Sequence, residues 1–260
     1  MWTAAILGLG TMAVAMAGLW AIHLKTANAG VVDVGWSLGV PWCAALFAAF
    51  GPGWPLRRLV VAAMVAVWGL RLGAHIIGRL RREGEDPRYA QLRKGWTGNV
   101  QLKFLGFFEL QALLALVFAL PVAVASRNPA PGFSALEYLG LVLWSIAVVG
   151  ESAADIQLRE FKKANPGHGK VCDVGLWRYS RHPNYFFEFL LWVALAVFAS
   201  ASPWGGSAVV CPLLMLFFLF KVTGIPATEA QALRSKGEAY RRYQRTTSAF
   251  VPWFPMKESG

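Results

Sequence analysis

The sequence predicts an all-α fold: a polytopic integral membrane protein with seven transmembrane helices, its N-terminus outside and its C-terminus in the cytosol. Three observations predict it. Seven apolar runs each come close to the roughly 20 residues that a helix needs to cross a bilayer. Of 260 residues, 56% are hydrophobic and only 15% charged, against about 25% charged in a soluble domain. The basic residues gather in alternate connections, the pattern of cytosolic loops. A net charge of +11 would raise nucleic acid as a partner of a soluble chain. Here basic cytosolic loops account for it, and no nucleic acid is expected.

The spans are read at 2–24, 31–50, 59–77, 104–125, 135–153, 185–199 and 205–223. No basic residue precedes the first run, so it reads as a retained span rather than a cleaved signal. Its Gly8-Leu-Gly-Thr-Met-Ala13 has the spacing of a dinucleotide fingerprint. Inside an apolar run those small residues read as helix-packing surface. Connection 79–103 carries Arg79, Arg81, Arg82, Arg88, Arg93, Lys94 and Lys103. Connection 154–184 carries Arg159, Lys162, Lys163, Lys170, Arg178 and Arg181. The tail after Thr223 carries Arg234, Lys236, Arg241, Arg242, Arg245 and Lys257, whereas the opposite connections hold only Arg57, Arg58 and Arg127. Beyond span seven, Pro226 interrupts the helix. Residues 229–243 read as one cytosolic helix starting near Ala227 or Thr228, with Thr228 as N-cap. The apolar 250–255 is expected to fold back on the membrane surface. The whole of 1–260 reads as one membrane domain.

With this topology the polar groups of the spans, apart from Glu137 near the outer rim, face one leaflet. Asp33, Arg71, His75, Glu109, Gln111, Glu151 and Glu188 all fall in the cytosolic half, which implies a polar chamber open to the cytosol with an apolar cavity behind it. Cys43, Cys172 and Cys211 show no paired spacing, and neither His168 nor His182 has a ligand partner at metal spacing, so neither a disulfide nor a metal site is expected.

Three motifs carry the chemistry. The first is GLWRYSRHPNYFFEFLLW over 175–192, where a basic, aromatic segment runs into an apolar span. Pro183 suits the first turn of a helix. Asn184 and Glu188 then share a face, and a carboxyl one turn inside a span is a functional-site hypothesis by default. His182, beside Arg181 and Asn184, reads as a donor to a ligand. The second is Glu85-Asp-Pro-Arg-Tyr89 after Arg82. Either its arginines, Arg82 and Arg88, hold phosphates, or local acids neutralise a basic loop. The third is Asp155, Arg159 and Lys162, at i, i+4 and i+7 on one helix face, either a surface ion pair or a platform for a phosphorylated ligand.

The first motif, with Trp192, resembles the C-terminal signature of membrane steroid 5α-reductases, most of all their bacterial relatives. The second and third resemble those relatives too. The tail, Glu229 through Gly237-Glu-Ala-Tyr240 to Pro252, is similar to a wider superfamily that includes sterol reductases and isoprenylcysteine carboxyl methyltransferases. The match is strongest over 151–255.

The resemblance implies seven spans, NADPH as cofactor, and hydride transfer to the C=C bond of a conjugated enone such as a 3-oxo-Δ4 steroid. It places Asp155, Arg159, Lys162, Lys170, Tyr179, Asn184 and Glu188 around NADPH, with Glu229 and Tyr240 closing the site; Arg82, Arg88, Arg181 and His182 are further candidates for the cofactor. In that family an acid of the second span and a tyrosine of the third hold the substrate carbonyl. Asp33 is the candidate acid by position, with Trp36 and Trp68 beside it at the substrate; Asp33 and Glu188 are the candidate catalytic groups. Span three has Trp68, Arg71 and His75 but no tyrosine, so the proton donor stays unassigned. The rivals are an S-adenosylmethionine-dependent membrane methyltransferase and a non-enzymatic sterol- or lipid-binding protein. The expected partners are a hydrophobic small molecule and membrane lipid. The richness in Ala, Gly and Arg points to a bacterial inner membrane, or to the endoplasmic reticulum in a eukaryote.

Overall fold

The computed structural model of the chain describes residues 1–167, 169–222 and 224–256. Among these the secondary structure is helical throughout, and seven helical segments are long and apolar enough to cross a membrane. Thr223, at the expected end of span seven, and His168 and Lys257 lie outside the described residues.

The first three spans are α1 (Trp2–Thr26), α2 (Val31–Phe50) and α3 (Pro55–Glu83). A short α4 (Pro87–Gly95) follows, then α5 (Val100–Phe118) and α6 (Leu120–Ala125), which together make the fourth span. Span four is thus not one unbroken helix: Pro121 in the first turn of α6 has no N–H for the ladder, and the chain restarts there. The fifth and sixth spans are α7 (Ala135–Ala164) and α8 (Pro183–Ser200). The seventh is composite: a 3-10 turn (Gly205–Val209), α9 (Val210–Phe217), a π turn (Phe218–Val222) and α10 (Ile225–Lys236). The chain then forms α11 (Glu238–Thr246).

Several spans are longer than their apolar runs. α3 extends through Arg79, Arg81 and Arg82, and α7 through Arg159, Lys162 and Lys163. A helix does not end where the hydrocarbon ends, because its own hydrogen bonds continue into water. The expected tail helix over 229–243 is instead two helices. Gly237, at φ 54 and ψ −126, occupies a conformation open to glycine and breaks the run. Nor is Thr228 an N-cap: α10 starts one turn earlier, and Thr228 N donates to Gly224 O at 3.2 Å from inside it.

The chain divides into two compact units, 1–138 with 196–211, and 139–195 with 212–260. In the first, α2 packs against α1, α3 and α5. The contact surfaces are glycines one turn apart, the close-approach device of membrane helices. A Cβ at Gly39 would stand 2.7 Å from Met12 Sδ of α1, and one at Gly35 3.2 Å from Met16 Sδ. On α3, a Cβ at Gly69 would collide with Pro41 and the Ser37 carbonyl, and one at Gly73 would stand 3.1 Å from Ser37 Oγ. Gly8 also packs, against Leu116 and Cys43, whereas Gly10 faces open space. An open groove of about 360 Å³ between α1 and α2 is edged by Met12, Leu38 and Trp42. Trp42 is nine residues from Asp33, half a turn round the helix at 3.6 residues per turn, so the groove lies on the face away from Asp33.

The end of the first unit remote from Asp33 is tied by a buried ion pair. Arg57 Nε donates to Glu137 Oε1, with 2% and 0% of the two side chains exposed. The other guanidinium hydrogens go to the carbonyls of Asn128 (2.9 Å), Ala130 (2.8 Å) and Gly132 (2.6 Å). Ser134 N and Oγ complete the carboxylate at 2.8 and 3.0 Å. A pair buried this deeply is tolerable because nearly every donor and acceptor is used.

In the second unit α7 meets α8 where Phe187 lies over Gly150, leaving no room there for a Cβ.

Candidate active site

In the first unit the site is built at the start of α2. Gly84, at φ 76, ends α3, and its N–H donates to Leu80 O at 3.1 Å. Asp86 then caps α4, accepting from Arg88 N at 2.9 Å, with Pro87 in the first turn. This reversal is anchored by Glu85, which accepts from Ala29 N at 2.8 Å and from both Arg93 terminal nitrogens at 2.8 Å. α4 is thereby clamped onto the turn between α1 and α2, and the clamp brings Tyr89 onto Asp33.

The Tyr89 hydroxyl donates to Asp33 Oδ1 at 2.6 Å. Asp33 Oδ2 faces Arg88 Nη2 at 3.4 Å and Arg79 Nη2 at 4.0 Å. Both arginines are shared with Asp86, at 3.0 Å from Arg88 Nε and 3.1 Å from Arg79. Tyr89 is buried. Burial and then the Asp33 carboxylate push its phenol well above the usual tyrosine range, so its proton stays on at neutral pH. Burial pushes Asp86 up, but the bonds and charges of Arg88, with Arg79, outweigh it and hold the carboxyl below its usual range.

One turn along α2 from Asp33, Trp36 meets Trp68 and Phe118 edge-on, with ring centroids 5.5 and 5.4 Å apart. Its indole Nε1 is buried without a hydrogen-bond acceptor. Trp68 is fully buried. Arg82 is exposed in the last turn of α3.

The second unit holds most of the residues expected around a cofactor. Pro183 begins α8 as expected. Asn184 Nδ2 donates to Asp155 Oδ1 at 3.4 Å, and one turn deeper Trp192 Nε1 donates to the buried Glu188 Oε1 at 2.8 Å. Arg159 is exposed and pairs with Glu160 at 3.2 Å; Lys170 donates to Asn165 Oδ1 at 2.8 Å. Lys162 is exposed on the same helix. Tyr179 is partly exposed, its ring edge-on to Phe254.

Arg181, His182 and Glu229 are joined to one another. Arg181 Nε donates to Glu229 Oε1 at 2.7 Å, and Arg181 Nη1 to the carbonyls of Gln244 (2.9 Å) and Thr247 (2.8 Å). His182 Nε2 is 3.2 Å from Glu229 Oε1, and Gln244 Nε2 donates to Oε2 at 2.8 Å. Tyr185 stacks on His182 with its hydroxyl 3.2 Å from Thr228 Oγ1. Tyr240 is buried nearby, its phenol pushed up by burial and then by the Glu229 carboxylate. This cluster is a brace between the entry to α8 and the tail helices.

The polar residues expected to face one chamber divide between the units: Asp33, Arg71, His75, Glu109 and Gln111 in the first, Glu151 and Glu188 in the second. Among the described residues no three of His, Cys, Asp and Glu are grouped to hold a metal ion. The residue that sequence reasoning missed is Tyr89. It sits outside any span, and the one signal for it was its place in the Glu85–Tyr89 motif.

A family model described as "Protein of unknown function (DUF1295)" matches residues 19–247. That range takes in Asp33, Tyr89, Asn184, Glu188 and Glu229. "Uncharacterized protein C594.04c" of Schizosaccharomyces pombe is 24% identical over 269 residues, covering 90% of this chain and 75% of that protein. No solved structure matches the chain.

Proposed function

The chain belongs to the DUF1295 family, and from that premise we propose that it is a membrane reductase that uses NADPH to reduce the C=C bond of an enone in a hydrophobic, steroid-like substrate. The observation that carries the reading is the Tyr89–Asp33 hydrogen bond at 2.6 Å. It restores the hydroxyl that span three lacks and sets it on the carboxyl of span two, the pairing that in the resembling reductases holds the substrate carbonyl.

The residues of the second unit fit NADPH by their chemistry. Arg159, Lys162 and Lys170 offer exposed cations to phosphates, including the 2′-phosphate that distinguishes NADPH from NADH. Asn184 and Glu188 offer an amide and a carboxylate to the carboxamide or riboses. Arg181, His182 and Glu229 satisfy one another, so their part is to hold the tail in place.

When bound, NADPH would supply a hydride for the β-carbon of the enone. The residues of the chain do the rest. Tyr89 offers its hydroxyl hydrogen to the ketone oxygen, where negative charge gathers as the enolate forms, and a donor placed there is the largest usual catalytic contribution. A phenol has one hydrogen, so the ketone takes the bond that Asp33 accepts in the ligand-free state. Asp33 keeps Arg88 and Arg79, whose charges compensate its carboxylate once the phenol hydrogen has turned to the ketone. Trp36 is the apolar neighbour of the pair, backed by the fully buried Trp68 and Phe118, and its unpaired N–H suits a further acceptor on the substrate. The α-carbon takes a proton from solvent water, which completes the saturated ketone. The C-terminus faces the cytosol, where NADPH is available, and a reporter active only in the cytosol, fused after residue 260, checks that orientation.

The test of the cofactor is a titration of the purified protein with NADPH, NADH and S-adenosylmethionine. NADPH is expected to bind roughly tenfold or more tighter than NADH, the worth of one charge-assisted phosphate contact. Binding of S-adenosylmethionine without NADPH would instead select the methyltransferase reading, and binding of neither would select a lipid-binding protein.

A further inference from the structure

α8 has 18 residues, about 27 Å at 1.5 Å per residue, which is no more than the hydrocarbon thickness of a bilayer. A helix this short has no turn to spare, so Pro183 at its start lies where hydrocarbon meets headgroups. Tyr179 is four residues earlier, and its carbonyl accepts from Trp253 N at 2.9 Å. Ser180 Oγ donates to Phe250 O at 2.8 Å, and Met256 N donates to Thr246 O at 2.8 Å. The segment 250–256 is therefore fixed by its backbone at the level of the α8 entry.

Its side chains face outward. Phe250 is buried, but Val251, Trp253, Phe254 and Met256 are 54%, 67%, 76% and 59% exposed. Water would not favour four large apolar side chains held out by an ordered backbone. Pro252 and Pro255 remove two N–H groups that a lipid could not satisfy. Arg178, next to Tyr179, is exposed and cationic. Aromatic rings backed by a cation at the hydrocarbon boundary are the pattern of a membrane–water interface.

We propose that residues 251–256 are an interfacial anchor: Trp253 and Phe254 enter the bilayer at the headgroup–acyl boundary, and Arg178, the chain neighbour of Tyr179, offers a cation for lipid phosphate. The same segment is bonded to Tyr179 and Thr246, so the lipid contact also secures the two sides that Arg181 and Glu229 join.

Nitroxide labels test this on the full chain in phosphatidylcholine nanodiscs. Cys43, Cys172 and Cys211 are buried, so a thiol reagent marks an introduced cysteine. Phe254→Cys and Trp253→Cys are compared with Arg241→Cys on the exposed side of α11. Labels at 253 and 254 are expected to collide more with oxygen, which concentrates in lipid, than with a water-soluble nickel chelate, and the label at 241 the reverse. Nickel-dominated collisions at all three positions would place the tail in water and overturn the anchor. Protection of 253 and 254 from both reagents would mean that a protein surface covers the tail, and would overturn it too.

Discussion

Tyr89 and Asp33 are 56 residues apart in sequence, yet the phenol donates to the carboxylate at 2.6 Å. The contact exists because Gly84 and Asp86-Pro87 turn α4 back across the start of α2. On the proposed function this pair is the electrophilic end of the reaction. Tyr89→Phe should fold, bind NADPH within about twofold of wild type, and lose on the order of 10²–10³ in turnover, the usual effect of deleting one donor to a developing oxyanion. The raised phenol implies that turnover does not fall through tyrosine ionisation until above the usual tyrosine pKa of about 10. Asp33→Asn should also spare NADPH binding and reduce turnover. A Tyr89→Phe protein with wild-type turnover would reduce the bond to a loop fastening.

Glu188→Gln should leave folding intact, because the amide oxygen still accepts from Trp192 Nε1. It exchanges one acceptor oxygen for a donor group. Weaker NADPH binding and at least about a tenfold loss of turnover, roughly 1.4 kcal/mol, are expected, and Asn184→Ala should behave similarly. Unchanged affinity and rate in Glu188→Gln would move the cofactor elsewhere.

Arg181→Ala separates a brace from a ligand. It strips Glu229 of its 2.7 Å partner and frees two tail carbonyls. The two side chains are 11% and 16% exposed, so a loss of about 2–3 kcal/mol is expected, just under the range for a fully buried pair. Thermal unfolding in detergent should show it, with Arg181→Lys recovering only part because it cannot reproduce the planar fork. Unchanged stability with lost NADPH binding would make Arg181 a ligand.

The loop clamp should respond to acid in one direction. Asp86 is depressed in the folded protein, with burial opposing and Arg88 and Arg79 prevailing. Glu85 is depressed as well, again against burial, by Arg93 and the Ala29 N–H. Their contribution is therefore present above the unfolded carboxylate pKa of about 4 and is lost as pH falls through the lower folded values. Hydrogen-exchange protection of residues 85–95, corrected for intrinsic rates, should hold from pH 7 to about pH 5 and collapse only below about pH 4. Loss of protection between pH 7 and 6 would contradict the assignment.

The spans were legible because hydrocarbon thickness writes itself into run length: residues 31–50 were read at the same bounds that α2 has. The helical extension of α7 was legible as far as Lys162 from the i, i+4, i+7 spacing of Asp155, Arg159 and Lys162; that of α3 into Arg79–Glu83 was not, since hydropathy ends at the membrane and the backbone ladder does not. Arg181 and Glu229 are 48 residues apart, and both read as ligands because the residue types that grip a phosphate or a ribose are also the types that grip each other. Thr228 has the residue type of a cap, but its helix starts at Ile225, which puts it inside the first turn. Tyr89 was visible as a motif residue but not as Asp33's partner, because that pairing depends on the turn after α3, which no periodicity encodes.

The most direct measurement is NADPH consumption by the purified protein in lipid nanodiscs across a panel of steroidal and simpler enones. NADPH oxidation is expected only when an enone is present, one equivalent per saturated ketone formed, with near-abolition in Tyr89→Phe. No oxidation with any enone by a protein that binds NADPH, or oxidation that Tyr89→Phe leaves intact, would contradict the proposed function.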